Sequence, residues 1–129
     1  MNQRIKQKII TLAYKYKDIP NAKNKHMSFI VQRSNIITIG FNDYQKTHPI
    51  SRNLKYKFDA MHSELDAFLK VRWSNIDLSK CELINIRINR FGELRMAKPC
   101  KRCLHFLKLL NFQRIWYSSW NGDFYLLEG

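Results

Sequence analysis

Two short clusters carry most of the chemical information in this 129-residue chain: His62-Ser63-Glu64, and Pro99-Cys100-Lys101-Arg102-Cys103. Cysteines at i and i+3 in the first turn of a helix project from one face. Their thiolates are favoured there by the positive end of the helix dipole and by free N–H groups. Both sulfurs can therefore reach one ion. With His62 as a third ligand, a tetrahedral Zn²⁺ keeps its fourth position for water, the arrangement of a catalytic zinc rather than of a closed structural one. Glu64 stands two residues beyond His62, so it points away from that ligand and is free to shuttle protons beside the water. The residue types predict a hydrolytic metal centre. The alternative for the cysteines is a surface redox pair next to an unrelated histidine, and for Glu64 an ordinary first-turn glutamate favoured by the dipole. Five specified residues in matching contexts favour the metal site over both.

The flanking sequence has to deliver these residues on helix starts, and its periodicity does so. Ile5, Ile9, Leu12, Ala13 and Tyr16 fall on one stripe of an amphipathic helix over Gln3 to Lys17, with Lys6, Lys8, Lys15 and Lys17 opposite. A loop around Pro20 precedes two predicted strands, Ser28 to Gln32 and Ile36 to Gly40, joined at Ser34-Asn35. Phe41 to Met61 is polar, basic and without periodicity, and a loop of that length inside one domain points to a binding role. A helix runs from His62 to Trp73, with Leu65, Phe68 and Leu69 on one face. Cys81 to Asn89 alternates strictly, Ile84, Ile86 and Ile88 against Asn85, Arg87 and Asn89, which is a strand with one apolar face. After a turn at Arg90 to Glu93, Leu94 and Met96 continue the alternation. Cys100 to Leu110 is helical, Arg114 to Ser118 has strand composition, and Asn121-Gly122-Asp123 turns the chain into a last short strand, Phe124 to Leu127. The order is α-β-β-α-β-α-β-β. Cys81 reads as a packed small residue rather than a fourth ligand, and His26, His48 and His105 as bystanders. Trp116 and Tyr117 read as core, with Trp120, at a turn beside the presumed site, the best candidate for stacking on a base.

Composition bounds the rest. Hydrophobic residues make up 45%, and there are only 4 Gly and 3 Pro, so a single globular domain over residues 1–129 is expected and disorder is excluded. Lys and Arg number 23 against 10 Asp and Glu, a net charge of +13 that calls for an anionic partner. Charges interrupt the N-terminal apolar residues, and no apolar run is long enough to span a bilayer. The expectation is a soluble, cytoplasmic protein with no membrane partner. The 3 cysteines cannot all pair with one another, which in a reducing compartment favours metal chemistry over a disulfide scaffold.

The combination His-x-Glu and Pro-Cys-x-x-Cys resembles the signature of zinc nucleobase deaminases. Over nearly the whole chain the order of elements is similar to that of the cytidine deaminase-like superfamily. The resemblance implies an α/β fold of three layers, α/β/α, with a mixed five-stranded sheet and a C-terminal hairpin. It implies that His62, Cys100 and Cys103 hold one Zn²⁺ cofactor and that Glu64 is the catalytic acid and base. Gly40-Phe41-Asn42 places Asn42 just after the second strand, where many members contact the sugar or base. Ser63 and Trp120 complete the candidate substrate-binding set. Ser63 stands where Ala is commonest in the family, so a small residue is kept. The basic hairpin Ile88 to Lys98 and the turn at Asn121-Gly122 depart from tRNA adenosine deaminases. The C-terminal hairpin looks more like the branch containing free cytidine deaminases and plant organellar RNA editors.

Ten basic residues flank the motifs in sequence: Lys46, Arg52, Lys55 and Lys57 before His62, and Arg87, Arg90, Arg95, Lys98, Lys101 and Arg102 around the cysteines. A nucleotide with one phosphate needs one or two cations, whereas this number suits a strand tracked through several phosphates. Lys55, Lys57, Arg95, Lys98 and Arg102 are the candidate nucleic-acid contacts. The expected activity is conversion of cytosine to uracil in single-stranded DNA or RNA. Two alternatives stay open: a deaminase of free cytidine, deoxycytidine or deoxycytidylate, and a non-catalytic nucleic-acid-binding module whose zinc is structural. Cytosine against adenine, and monomer against homo-oligomer, are undecided by these residues.

Overall fold

Helix α1 (Gln3–Lys15) opens on Asn2, whose side-chain oxygen accepts from the Arg4 N–H at 2.8 Å and supplies a partner that the first turn lacks. The computed structural model describes residues 1–18, 25–42 and 62–127. In it the α1 stripe buries Ile5, Ile9 and Ala13, with Leu12 and Tyr16 partly covered. Among the described residues the other helices are α2 (Ser63–Val71) and α3 (Lys101–Leu110), and a 3-10 turn occupies Leu78–Lys80. The strands are β1 (Lys25–Gln32), β2 (Asn35–Phe41), β3 (Glu82–Ile88), β4 (Leu94–Arg95), β5 (Arg114–Ser118) and β6 (Phe124–Leu126).

The sheet runs β2-β1-β3-β5-β6, with β3 and β5 parallel and the other neighbours antiparallel. This is the expected mixed five-stranded path closed by a C-terminal hairpin. The two-residue β4 adds a sixth strand, pairing Arg95 and Leu94 with Arg87 and Ile88 where β5 has stopped. Gly92 (φ 80°) lets the chain reverse there, and the Asn89 side chain accepts from the Phe91 and Glu93 N–H groups. Strand β1 begins three residues earlier than its composition predicts. Lys25, His26 and Met27 are drawn into the ladder by Ile88, Arg87 and Ile86 of β3, so the partner rather than local propensity sets the boundary.

Alternation along the strands sorts the core into two faces. Met27, Phe29, Val31, Ile84, Ile86 and Ile88 meet α1, whereas Ile30 and Leu83 meet Ala67 and Val71 of α2 and Leu107 of α3. Three layers result, one helix on the first face and two on the second. Each fully buried Ile, Leu or Phe contributes about 1.5–3 kcal/mol, so both faces are firmly held. None of the helices among the described residues is long and apolar enough to cross a membrane.

The seat of α2 is unusually close. A Cβ on Gly40 of β2 would lie 2.2 Å from the Ser63 carbonyl oxygen and 2.4 Å from the Ala67 nitrogen, so only glycine allows this approach. Asp66 of α2 accepts from the Phe41 N–H at 2.8 Å, and Lys70 donates to the Ile39 carbonyl at 2.8 Å. Gly40→Ala should therefore lower stability by about 1–3 kcal/mol as α2 is pushed off the sheet. Urea unfolding midpoints of the two proteins measure this, and an unchanged midpoint would contradict the seating.

Candidate active site

Two helix starts meet on the second face of the sheet. His62 is the residue before α2 and Cys100 the residue before α3. The Cys100 sulfur accepts from the Cys103 N–H at 3.4 Å, filling the capping place that a Ser or Asp oxygen usually takes. His62 Nδ1 lies 3.2 Å from Cys103 Sγ, and the ligating atoms of His62, Cys100 and Cys103 all fall within 4.8 Å of one another. One imidazole and two thiols on so small a triangle suit the short Zn–N and Zn–S bonds of about 2.0–2.3 Å. Cys81 is buried elsewhere, its thiol turned to the Asp77 carbonyl at 3.4 Å. It packs as expected and is no fourth ligand.

The electrostatics match a metal site. A hydrogen bond from Cys103 is the largest influence on the Cys100 thiol; with His62 and the helix N–H it pulls the pKa down to about 4, against the opposing effect of burial. Burial works against the His62 imidazolium, but Cys100 and Glu64 outweigh it, and the pKa lies above its ordinary value. Without metal, Cys100 is thus a far stronger acid than an ordinary thiol, with the His62 ring beside it. Glu64 is buried next to this cluster, and Ser63 Oγ donates to its Oε1 at 3.0 Å.

No protein-family model and no curated protein sequence matches the chain. Solved structures do. Two crystal structures of the dCMP deaminase from cyanophage S-TIM5, one in apo form and one with dCMP and dUMP, each match with a TM-score of 0.61 and 17% identity. The matches cover 92% of this chain and 86% and 84% of theirs. The chain has the cytidine deaminase-like fold.

Within that fold the other predicted residues take definite places. Asn42 ends the β1–β2 ladder: its Oδ1 accepts from the His26 N–H at 3.0 Å and its own N–H donates to the His26 carbonyl at 3.3 Å. Ser63 is buried under Glu64, facing the sheet. Trp120 is 62% exposed, with the Arg87 guanidinium 5.7 Å from its ring centroid. It lines a groove of about 380 Å³ with Met96, Tyr117, Ser119, Asn121 and Tyr125. Arg95 stands opposite Arg87 and is held by the Leu94 carbonyl at 2.9 Å and by Glu93 at 3.5 Å. Lys98 and Arg102 are exposed on either side of Cys100, whereas Lys55 and Lys57, like Lys46 and Arg52, lie outside the described residues.

His26, read as a bystander, lies near the site. Burial pushes its pKa down, and after burial Glu64, Arg87, His62 and Cys100 are the groups that act on it, which places it within electrostatic reach of the whole site. The signal was present in the alternation His26, Ser28, Ile30, which puts all three on the α2 face once β1 is known to start at Lys25. His105 is exposed on α3 and stays outside, as read.

In metal-free protein, Cys100 should react with iodoacetamide at a rate that is flat through neutral pH and falls only as pH drops through about 4, because the thiolate is the nucleophile. Cys81, whose thiol burial pushes up, should stay unlabelled at neutral pH. Peptide mass spectrometry reads both sites; a Cys100 profile centred at the ordinary thiol value would contradict the geometry. Zinc should protect Cys100.

Proposed function

We propose that the protein is a zinc-dependent hydrolase that removes the exocyclic amine of a cytosine. The observation that carries this reading is a buried Glu64 beside a His62-Cys100-Cys103 triangle in a cytidine deaminase-like fold. Bound by those three residues, zinc supplies a Lewis acid that makes water nucleophilic near neutral pH. Glu64 takes a proton from the attacking water and hands it to ring N3 as the new C–O bond forms at C4. It then carries the second water proton to the amine, the C4–N bond breaks, and ammonia leaves uracil behind.

For the substrate, we infer a cytosine in single-stranded DNA or RNA. Arg87 and Arg95 pair across β3 and β4, Lys98, Lys101 and Arg102 flank Cys100 along the chain, and the exposed rings of Trp120 and Tyr125 line the groove, with Arg87 against the Trp120 ring. Cations with accessible aromatic faces are the combination that holds a single strand. The rival is free deoxycytidylate, favoured by the likeness to a dCMP deaminase crystallised with dCMP and dUMP. One phosphate would then use one or two of these cations. Three cysteines present as thiols suit a reducing, cytoplasmic setting for either.

Glu64→Gln should keep one zinc per chain and full nucleic-acid affinity yet lose about 10²- to 10⁴-fold in turnover. Metal analysis and ammonia release measure these. Equal inactivity of wild type and variant on every substrate would favour a zinc-stabilised binding module instead. A cytosine oligonucleotide and deoxycytidylate, each at low and high salt, separate the substrates. Oligonucleotide binding should weaken with a log–log salt slope of roughly −0.7 per phosphate contacted. Turnover of the monomer alone, indifferent to salt, would replace the polynucleotide by the nucleotide.

A further inference from the structure

Beneath Glu64 lies a chain of buried polar groups that the metal chemistry does not use. Ser28 of β1 is fully buried, and Asn85, directly opposite it on β3, and Ser63, the first residue of α2, are nearly so. Ser28 Oγ donates to Asn85 Oδ1, the Ser28 and Ser63 hydroxyl oxygens are 2.8 Å apart, and Ser63 Oγ donates to Glu64 Oε1 at 3.0 Å. Three elements thus contribute one polar side chain each to a line that ends on the carboxylate. Their neighbours on this face, Ile30 and Leu83, are apolar, so the line crosses a region where an unbonded hydroxyl would be strongly disfavoured.

A glutamate side chain rotates about several bonds, and its productive position must be held to well under about 1 Å for efficient proton transfer. We propose that Ser28 and Asn85 are positioning residues for Glu64, acting through Ser63. The Ser28 hydroxyl has one proton to give: with the Asn85 carbonyl turned toward it, as here, that proton goes to Asn85 Oδ1, and a half-turn of the amide, which exchanges its carbonyl and N–H₂ ends, would send it to Ser63 instead. Asn85 therefore sets which way the Ser28 hydroxyl points, and Ser28 Oγ in turn lies against the Ser63 hydroxyl that donates to Oε1. The close seat at Gly40, whose strand position faces Ser28, is what brings Ser63 within reach of the sheet.

The catalytic meaning of this chain rests on the deaminase reading; the positioning itself does not, and the test keeps the two apart. In zinc-loaded protein labelled with ¹³C at glutamate carboxyl groups, the Glu64 resonance is the one that Glu64→Gln removes. Ser28→Ala should move that resonance, and should move nothing further when Ser63 is already Ala. Ser28→Cys, which keeps the volume and weakens the hydrogen bond, should behave like Ser28→Ala and guards against a packing effect or a variant that fails to fold. On the substrate that wild type turns over, Ser28→Ala should lower kcat about three- to tenfold with KM unchanged, and should have no further effect on kcat in the Ser63→Ala background. A Glu64 resonance indifferent to Ser28, or equal losses of kcat in both backgrounds, overturns the proposal. If wild type releases ammonia from no cytosine substrate, the deaminase reading fails, and the resonances still decide the positioning.

Discussion

The contact between the start of α2 and strand β2 is the constraint on which the site depends. Because Gly40 has no side chain, the Ser63 carbonyl and the Ala67 backbone rest directly on the sheet. That depth fixes His62 at the edge of the site and turns Glu64 into its interior. Asp66 and Lys70 then strap the helix to Phe41 and Ile39 with two hydrogen bonds, and pair with each other along the helix at 3.1 Å. By comparison, α2 and α3 touch over a small area, Leu65 and Phe68 against Cys103 and Phe106, with the two rings edge to face at 5.4 Å. Metal ligation by His62 and the cysteines would close this smaller contact, so binding the ion and consolidating the helix pair are one event.

The second half of the site reaches its place by a different route. The Pro99-Cys100 segment follows β4, and Ser118 at the end of β5 anchors it. Its Oγ donates to the Arg95 carbonyl at 2.6 Å, and its carbonyl accepts from the Ala97 N–H at 2.8 Å. The same hydroxyl accepts from the Arg87 N–H at 3.3 Å, so one buried serine joins β3, β5 and the strand leading to the cysteines. The site accordingly lies past the carboxyl ends of β3 and β5, the usual location of ligands in open α/β sheets. Two helix N-termini point into it, and their dipoles favour the anionic groups gathered there, a thiolate at Cys100 and an acidic side chain at Glu64.

Around this small negative centre the protein is strongly basic. Arg87 of β3 and Arg95 of β4 face each other across the hairpin that leads to Cys100, and Lys101 and Arg102 open α3, so the elements that position the cysteines also carry cations. Arg87 shows how tightly the roles are joined. It faces His26 across the ladder, Arg95 across the hairpin and the Trp120 ring across the groove. A substrate bearing phosphate and a flat ring would meet charge and aromatic surface together.

What could be read from the amino-acid order was whatever depends on short-range spacing. The α1 stripe, the alternation of β3, the Asn121-Gly122 turn and the Cys-x-x-Cys at a helix start are all local, so the elements and two of the three residues that could hold a metal were legible as such. Ser63 was legible as a small residue in an unusual place, but not as a link. Its partners Ser28 and Asn85 lie 35 and 22 positions away, and only strand register sets them side by side. The place of His26 was hidden for the same reason: its membership in β1 comes from pairing with Arg87, an interaction between distant segments that no local propensity encodes. Gly40 marked the end of a strand in the sequence, whereas its function as a seat exists only once α2 lies against it. Spacing along the chain determined which chemistry was available. Register and close packing, which are set by the burial of whole faces at once, decided which polar groups that chemistry can draw on.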